Sequence, residues 1–271
     1  MARVLVLFAI IFGSTGCAST AALEDRLVFQ PRQYPVGDWT PVAGAEDLSI
    51  ASSNGIKLHG WFAAAEHPRA VVLFLHGNAG NITICKDVLN LFHDRLNTSV
   101  LVFDYRGYGR SDGKPSEAGV MEDARAARRW LAERCGIPED DVVLVGHSLG
   151  GGVAVDLAAK DGARGLVLWN TFTSLPDVGK SFAPLFPIRT VMHNSMNSLA
   201  KIPDYRGPLL QTHGEADRII PYELGSKLFA AANEPKRFVR VSGGGHNDPP
   251  SPAFLDALDQ FLDFGKTSRK E

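Results

Sequence analysis

The stretch VVLVGHSLGGGVAVDLA, residues Val142 to Ala158, decides the fold. It opens with a short apolar run typical of a strand buried on both faces, and it closes with an apolar run of helical periodicity. The residues between them are Gly-His-Ser-Leu-Gly-Gly-Gly. Glycines permit a sharp turn with no side chains beside Ser148, and such a turn pushes the serine hydroxyl out of the sheet. A purely structural Ser-Gly turn is the alternative interpretation.

Similar apolar runs recur along the chain and alternate with amphipathic helical segments. Further strand candidates are AVVLFLHG (70–77), VLVFDYRGYG (100–109), GLVLWNTF (165–172), PLLQTHG (208–214) and RFVRVSGGGH (237–246). This alternation predicts parallel βαβ units, with helices on both faces of one sheet. Ahead of them, residues 47–63 alternate around Asn54-Gly55 and predict an antiparallel hairpin. The predicted fold class is α/β, a mostly parallel sheet that begins with this hairpin.

Ser148 is a candidate nucleophile, and a serine nucleophile needs a base within hydrogen-bond reach and an acid that orients the base. In sheets of this kind the functional groups lie at the carboxyl ends of the strands. His246, in SGGGHND directly after the last strand, is the candidate base. The segment QTHGEADRIIP (211–221) offers two acids, Glu215 and Asp217, and we favour Asp217. Each residue alone also fits a loop or a helix cap, whereas the three in this chain order match a catalytic triad.

Two backbone N–H groups are expected to stabilise the negative charge that forms during attack by a serine, and both must point at one atom. One is expected from Leu149, directly after the candidate nucleophile. The other is expected from Asn78, in FLHGNAGN (74–81). A structural Gly-Asn turn is the alternative interpretation of Asn78.

Four motifs resemble the α/β-hydrolase superfamily, and more closely its Bem46-like and ABHD-type serine hydrolases: HGNAGN (76–81), DYRGYGRSDGKPSE (104–117), GHSLGGGVA (146–154) and HGEADRIIP (213–221). The resemblance runs from about Leu48 to Phe264. It implies an α/β-hydrolase fold with nucleophile Ser148, acid Asp217 and base His246. It also implies that three residues shape the turns around the site: His76, Asp104 and Arg106.

In that family the segment between the sixth strand and the acid strand is the usual position of a lid, and residues 174–207 are short for one. Its large apolar residues are Phe182, Leu185, Phe186, Met192 and Met196. They either line an acyl pocket, with Phe182, Phe186 and Met192 as the substrate-binding candidates, or form the core beneath a small helix. A short lid predicts an open site that accepts an acyl chain presented by a larger molecule.

The resulting hypothesis is a serine hydrolase that cleaves small-molecule or lipid-linked esters or thioesters through an acyl-enzyme on Ser148, without cofactor or metal. An acyltransferase or a serine peptidase with the same three residues is one alternative, and a non-catalytic binding lipoprotein is another. The intact set of three matched groups argues against the non-catalytic alternative. His147 and His213 are interpreted as a variable turn residue and a loop support, so no metal site is expected from them.

Composition narrows the class of partner. The chain has 271 residues with 28 Lys and Arg against 30 Asp and Glu, and no basic run stands out, so we expect no nucleic-acid partner.

The length of the chain suits one domain, which we assign to residues 45–267 after an arm at 17–44. Cys85 and Cys135 are too few for a disulfide framework and lack the spacing of a metal site, and whether they pair stays open.

The N-terminus differs in character from the rest of the chain. In MARVLVLFAIIFGSTGCAS, Arg3 precedes the apolar run Val4–Phe12, and small residues lead to Cys17. A spanning helix needs about 20 apolar residues, so this shorter run predicts a signal peptide, residues 1–16. The segment resembles the lipobox of bacterial lipoproteins, although Ser14 replaces the usual leucine. We therefore expect lipid on Cys17 and attachment to a membrane of the cell envelope, with a secreted or periplasmic protein as the alternative.

Overall fold

The structure, a computed structural model, describes residues 24–264. Its strands are β1 (Gln30–Pro31), β2 (Ala45–Ala51), β3 (Lys57–Ala63), β4 (Val71–Leu75), β5 (Ala79–Gly80), β6 (Ser99–Phe103), β7 (Val143–His147), β8 (Gly165–Trp169), β9 (Leu209–Gly214) and β10 (Lys236–Val241). Its α-helices are α1 (Lys86–Asn90), α2 (Glu117–Cys135), α3 (Leu149–Asp161), α4 (Leu175–Phe182), α5 (Ile188–Val191), α6 (Ser198–Lys201), α7 (Tyr222–Ala231) and α8 (Pro252–Phe264).

Within residues 24–264, eight strands form one sheet in the order β10-β9-β8-β7-β4-β6-β3-β2. β3 pairs antiparallel with both β2 and β6, and the other neighbours in this sheet are parallel. The turn between β2 and β3 holds Asn54 at a φ of 56°. It is closed by a hydrogen bond from the Ser52 N–H to the Ile56 carbonyl, 2.8 Å long. The predicted parallel sheet with an antiparallel hairpin is confirmed.

Alternate residues of the central strands pack into two different cores, because successive side chains of a strand point to opposite faces. Leu73 of β4 packs in the same core as Val153 of α3. Its neighbour Val72 packs in a second core, together with Leu258 of α8. Helices therefore cover both faces of the sheet, as predicted.

The turn after β6 holds the loop after β4 in place. The fully buried Asp104 carboxylate accepts a hydrogen bond from the Ile82 N–H, 2.8 Å long. The Arg106 backbone N–H and guanidinium both donate to the Asp123 carboxylate of α2. In the loop itself, His76 Nδ1–H donates to the Gly77 carbonyl over 2.7 Å. These contacts fix the loop after β4 beside the end of β7.

Residues 24–44 of the predicted arm begin with a helical segment at 24–28, followed by β1. β1 pairs parallel with β5, with Gln30 opposite Ala79, so the arm lies against the loop that carries Asn78. The predicted signal peptide and Cys17 lie outside the described residues. In the described part of the chain, no helix is long and apolar enough to cross a bilayer.

Both described cysteines are free thiols. Cys85 is buried and Cys135 is half-buried, and they form no disulfide with each other. Burial, together with the Asp104 charge, raises the pKa of the Cys85 thiol. Cys85 therefore stays protonated and packs as a small apolar side chain.

We expect Asp123→Ala to lower the free energy of unfolding by about 3 kcal/mol, because it leaves the Arg106 guanidinium without its buried partner. Glu122→Ala is the matched control. Glu122 binds the same guanidinium, but its side chain is about half exposed (47%), so its loss should cost less than about 1 kcal/mol. Urea unfolding followed by circular dichroism measures both values. Equal losses in the two variants would contradict this account.

Candidate active site

Ser148 occupies a strained turn between β7 and α3. Its φ of 55° and ψ of −119° lie in a region that non-glycine residues seldom adopt. The Ser148 N–H donates to the Trp169 carbonyl at the end of β8, 2.9 Å away. The backbone thus leaves the sheet abruptly at this residue and directs the hydroxyl into a cavity at the carboxyl ends of the strands.

Two glycines make this turn possible because backbone approaches them closely. A Cβ at Gly146 would lie 2.4 Å from the Gly150 carbonyl oxygen. A Cβ at Gly150 would lie 1.9 Å from the Leu75 carbonyl oxygen of β4. Neither contact can relax by moving a side chain, so both positions require glycine. They allow the first turn of α3 to pack directly against β4 and β7.

The candidate base and acid meet Ser148 in an unbroken chain of hydrogen bonds. His246 Nε2 lies 3.0 Å from Ser148 Oγ, and His246 Nδ1 lies 2.7 Å from Asp217 Oδ2. All three residues are buried. This is the geometry in which an imidazole takes a proton from a serine while a carboxylate fixes its tautomer.

The carboxylate of Asp217 is held by several donors. Its Oδ1 accepts from the Ile219 and Ile220 N–H groups, each over 2.8 Å. Burial acts to raise the pKa of Asp217, but hydrogen bonds from His213 and His246 outweigh it and keep that pKa well below its usual range. Asp217 is therefore ionised, as an orienting group for His246 must be.

Glu215, the other acid that the sequence offers, lies elsewhere. Its carboxylate binds the exposed guanidinium of Arg240 on the surface of β10. Within residues 24–264 the hydrogen-bond partner of His246 Nδ1 is Asp217. The structure thus gives Glu215 a surface ion pair and brings Asp217 to His246.

Asn170, which the sequence analysis left without a role, ties the two loops of the site together. Its Nδ2 donates to the His246 carbonyl over 2.8 Å, and its Oδ1 accepts from the Gly214 N–H over 3.1 Å. Asn170 follows β8 directly and has a φ of 48°, a backbone conformation that asparagine tolerates better than most residues. The strand predicted at 165–172 includes Asn170, whereas β8 ends at Trp169, so no local pattern marked this residue.

His147 supports the loop that carries His246. Its Nε2–H donates to the His246 carbonyl over 3.2 Å. Burial, together with the electrostatic effect of the neighbouring His246, lowers the pKa of His147 to about 4. His213 likewise supports a loop, donating from Nε2 to the Ile220 carbonyl over 2.9 Å. In the described chain, no group of three or more His, Cys, Asp or Glu side chains is arranged to hold a metal ion.

The two candidate oxyanion donors line the same cavity as Ser148. Among the described residues, the backbone N–H groups of Asn78 and Leu149 donate no hydrogen bond. The Asn78 peptide is nevertheless firmly held: its carbonyl accepts from the Gln30 N–H (2.9 Å) and from the Tyr108 hydroxyl (2.7 Å). Two uncommitted N–H groups beside the serine, one of them at the N-terminus of α3, are suited to bind a developing negative charge.

The cavity in front of Ser148 measures about 1040 Å³ and is lined mainly by apolar side chains. Phe182, Phe186 and Met192 all line it. Leu185, by contrast, is fully exposed to solvent, and Met196 is buried in the core. The two interpretations of the lid segment thus each apply to part of it.

The N-terminal arm forms part of the cavity wall, which the sequence analysis did not anticipate. Glu24, Leu27 and Val28 line the cavity. The buried Glu24 carboxylate accepts hydrogen bonds from the His193 N–H (2.8 Å) and the Asn194 N–H (2.6 Å) of the lid segment. The arm therefore binds the lid through Glu24 and the Asn78 loop through β1. No sequence motif marks Glu24, because its partners lie about 170 residues away.

The amino-acid sequence of this chain is similar to those of several known proteins. The profile of the Alpha/beta hydrolase family matches residues 72–195. The uncharacterized protein Rv2307c of Mycobacterium tuberculosis is 38% identical over 247 residues, covering 88% of this chain and 87% of that protein. The alpha/beta hydrolase domain-containing protein WAV2 of Arabidopsis thaliana is 30% identical, covering 86% and 84%. Protein bem46 of Schizosaccharomyces pombe is 35% identical, covering 66% and 62%, in agreement with the Bem46-like motifs.

A solved structure resembles the fold over nearly its whole length. The esterase Pf2001 of Pyrococcus furiosus superposes with a TM-score of 0.70, covering 87% of this chain and 97% of that one. At 20% identity, this likeness concerns the fold alone.

We expect Asp217→Asn to keep the fold but to lower turnover of a p-nitrophenyl ester by about 10⁴, because the amide favours the wrong imidazole tautomer. Glu215→Gln is the matched control, and it should turn over ester at close to the unsubstituted rate. Steady-state kinetics, with thermal unfolding to verify folding, measure both variants. A larger loss in Glu215→Gln than in Asp217→Asn would refute the assignment of the acid.

Proposed function

Because this chain belongs to the alpha/beta hydrolase family, we propose that it is a serine hydrolase that cleaves carboxylic esters or thioesters through an acyl-enzyme on Ser148. The observation that carries the proposal is the hydrogen-bond chain from Asp217 through His246 to Ser148, whose serine end faces an apolar cavity. A binding protein without catalysis would have no need of a strained serine beside two uncommitted backbone N–H groups.

In the acylation step, His246 Nε2 takes the proton of Ser148 as Oγ attacks the carbonyl carbon of the substrate. The carbonyl π electrons move to oxygen, and the Asn78 and Leu149 N–H groups stabilise that oxyanion. When the tetrahedral intermediate collapses, the bond to the leaving oxygen or sulfur breaks. His246 returns the proton to the leaving group, so that an alcohol or thiol departs.

In the deacylation step, a water molecule takes the place of the leaving group. His246 Nε2 removes a proton from this water as its oxygen attacks the acyl carbon. Collapse of the second tetrahedral intermediate breaks the bond to Ser148 Oγ, which recovers a proton from His246. Throughout the cycle Asp217 stays ionised and holds Nδ1–H, consistent with its lowered pKa.

The cavity supports an apolar acyl group as the part of the substrate that it binds. Phe182, Phe186 and Met192 of the lid segment and Leu27 of the arm offer apolar surface to such a chain. The same residues would serve an acyltransferase or a peptidase. Product analysis with competing alcohols and amines separates these activities from hydrolysis, because a transferase forms new esters or amides where a hydrolase forms acid.

We expect Ser148→Ala to abolish ester hydrolysis and labelling by a fluorophosphonate probe, since loss of a triad member costs on the order of 10⁴ to 10⁶ in rate. Ser181→Ala is the matched control, an exposed serine whose hydroxyl donates to the nearby Val178 carbonyl, and it should be labelled normally. Gel fluorescence after labelling gives the result. A folded Ser148→Ala protein that labels at the unsubstituted rate would show that another residue is the nucleophile.

We also propose that the mature protein begins at a lipid-bearing Cys17 and is held at a membrane of the cell envelope. The support is sequence alone: Arg3, the apolar run Val4–Phe12 and the small residues before Cys17. Anchoring that lasts requires more than one acyl chain or a second signal.

For this anchor we expect the unsubstituted chain to sediment with membranes and Cys17→Ser to shift to the soluble fraction. Mass spectrometry of the N-terminal peptide should find acyl chains on Cys17. Equal solubility of the two proteins, with no acyl mass on Cys17, would reject the anchor and leave the hydrolase proposal unaffected.

A further inference from the structure

Exposed apolar side chains gather at the opening of the cavity. Across residues 24–264, the exposed large hydrophobic residues are Tyr34, Val36, Ile84, Phe182, Leu185, Val191 and Ile219. Four of the seven line the cavity in front of Ser148, namely Ile84, Phe182, Val191 and Ile219. Because these four side chains line the cavity and are also exposed to solvent, they lie where the cavity opens. A group of apolar residues at one opening is typical of an interaction site, whereas scattered single residues are not.

Leu185 extends this group outward. It is 100% exposed and lies in the loop between α4 and α5. Phe182 at the end of α4 and Phe186 in that loop both line the cavity. We call Ile84, Phe182, Leu185, Val191 and Ile219 the apolar rim. Leu185 stands out from the rim into solvent, where its whole side chain is available to an apolar partner.

Glu24, the first residue that the structure describes, lies in the wall of this same cavity. The Glu24 carboxylate binds the His193 and Asn194 N–H groups and is buried, so residue 24 is fixed in the cavity wall. Cys17 stands seven residues earlier in the sequence, which corresponds to a reach of at most roughly 25 Å for an extended chain. An attachment at Cys17 would therefore hold the rim close to the surface to which it is attached.

We propose that the apolar rim docks on a lipid membrane, and that the substrate's acyl chain passes from that membrane into the cavity. The substrate class named here rests on the proposed hydrolase function, whereas the docking does not. Three observations favour a membrane: the rim surrounds an opening, the cavity behind it is apolar, and Glu24, seven residues after Cys17, lies in the cavity wall. A second copy of this chain on the rim would instead cover the opening and shut the substrate out.

Docking is tested by placing a dye on the rim of the full-length protein. Leu185→Cys is labelled with an environment-sensitive thiol dye and added to vesicles of phosphatidylethanolamine and phosphatidylglycerol that contain spin-labelled lipid. Val36→Cys is the matched control, since Val36 is half-exposed and does not line the cavity. The unsubstituted chain, treated alike, gives the background from native cysteines. We expect the spin label to quench the dye at residue 185 and to leave the dye at residue 36 bright.

Equal quenching at both positions, or none at residue 185, would overturn the proposal. So would a dye at residue 185 that is already shielded without vesicles in a concentration-dependent dimer, because the rim would then be an interface between copies. This measurement needs no catalysis. If Ser148→Ala kept full activity while residue 185 was quenched, the hydrolase proposal would fail and the docking would stand.

The second test separates docking from chemistry. Leu185→Glu should hydrolyse a long-chain ester embedded in vesicles about tenfold more slowly, because burial of one leucine side chain contributes at least that factor. It should hydrolyse a soluble short-chain p-nitrophenyl ester at the unsubstituted rate, since Leu185 does not line the cavity. Val36→Glu should match the unsubstituted chain on both substrates. Equal losses on the two substrates, or none on the vesicle substrate, would contradict docking through the rim.

Discussion

The close contact between the N-terminus of α3 and the strands β4 and β7 is the constraint on which the site depends. It exists because Gly146 and Gly150 have no Cβ, and it holds Ser148 in its strained conformation with positive φ. The same contact places the Leu149 N–H beside the serine and directs the hydroxyl toward His246. A methyl group at either glycine would push the helix away from the sheet. The position of the Leu149 N–H and the direction of the Ser148 hydroxyl would then be lost together.

Around this turn the site is assembled from loops that follow different strands and are distant from one another in the sequence. The acid and base loops follow β9 and β10, and Asn170 after β8 joins them by hydrogen bonds to both. The arm adds a third connection, because Gln30 holds the Asn78 peptide and Glu24 holds the lid segment. The loop that carries Asn78 and the lid segment are therefore linked through residues that precede the sheet.

This arrangement relates the two proposals to each other. Hydrolysis concerns the inner end of the cavity, where Ser148, His246 and Asp217 meet, and docking concerns the outer end, where the rim faces solvent. The arm contributes to the cavity wall through Glu24, which stands seven residues after Cys17 in the sequence. A membrane anchor at Cys17 would thus act next to the opening and would orient it, without contact with the catalytic residues.

The amino-acid sequence by itself determined the alternation of strands and helices, the hairpin and the coverage of both faces, because these follow from local periodicity and turn chemistry. It also nominated Ser148, Asp217 and His246, since each follows a recognisable strand. Only the tertiary structure decided between Glu215 and Asp217, which stand two residues apart and differ in their partners across the sheet. It alone also revealed Asn170, the Glu24 contact and the apolar rim. Those features depend on packing between segments up to about 170 residues apart, which no local pattern encodes.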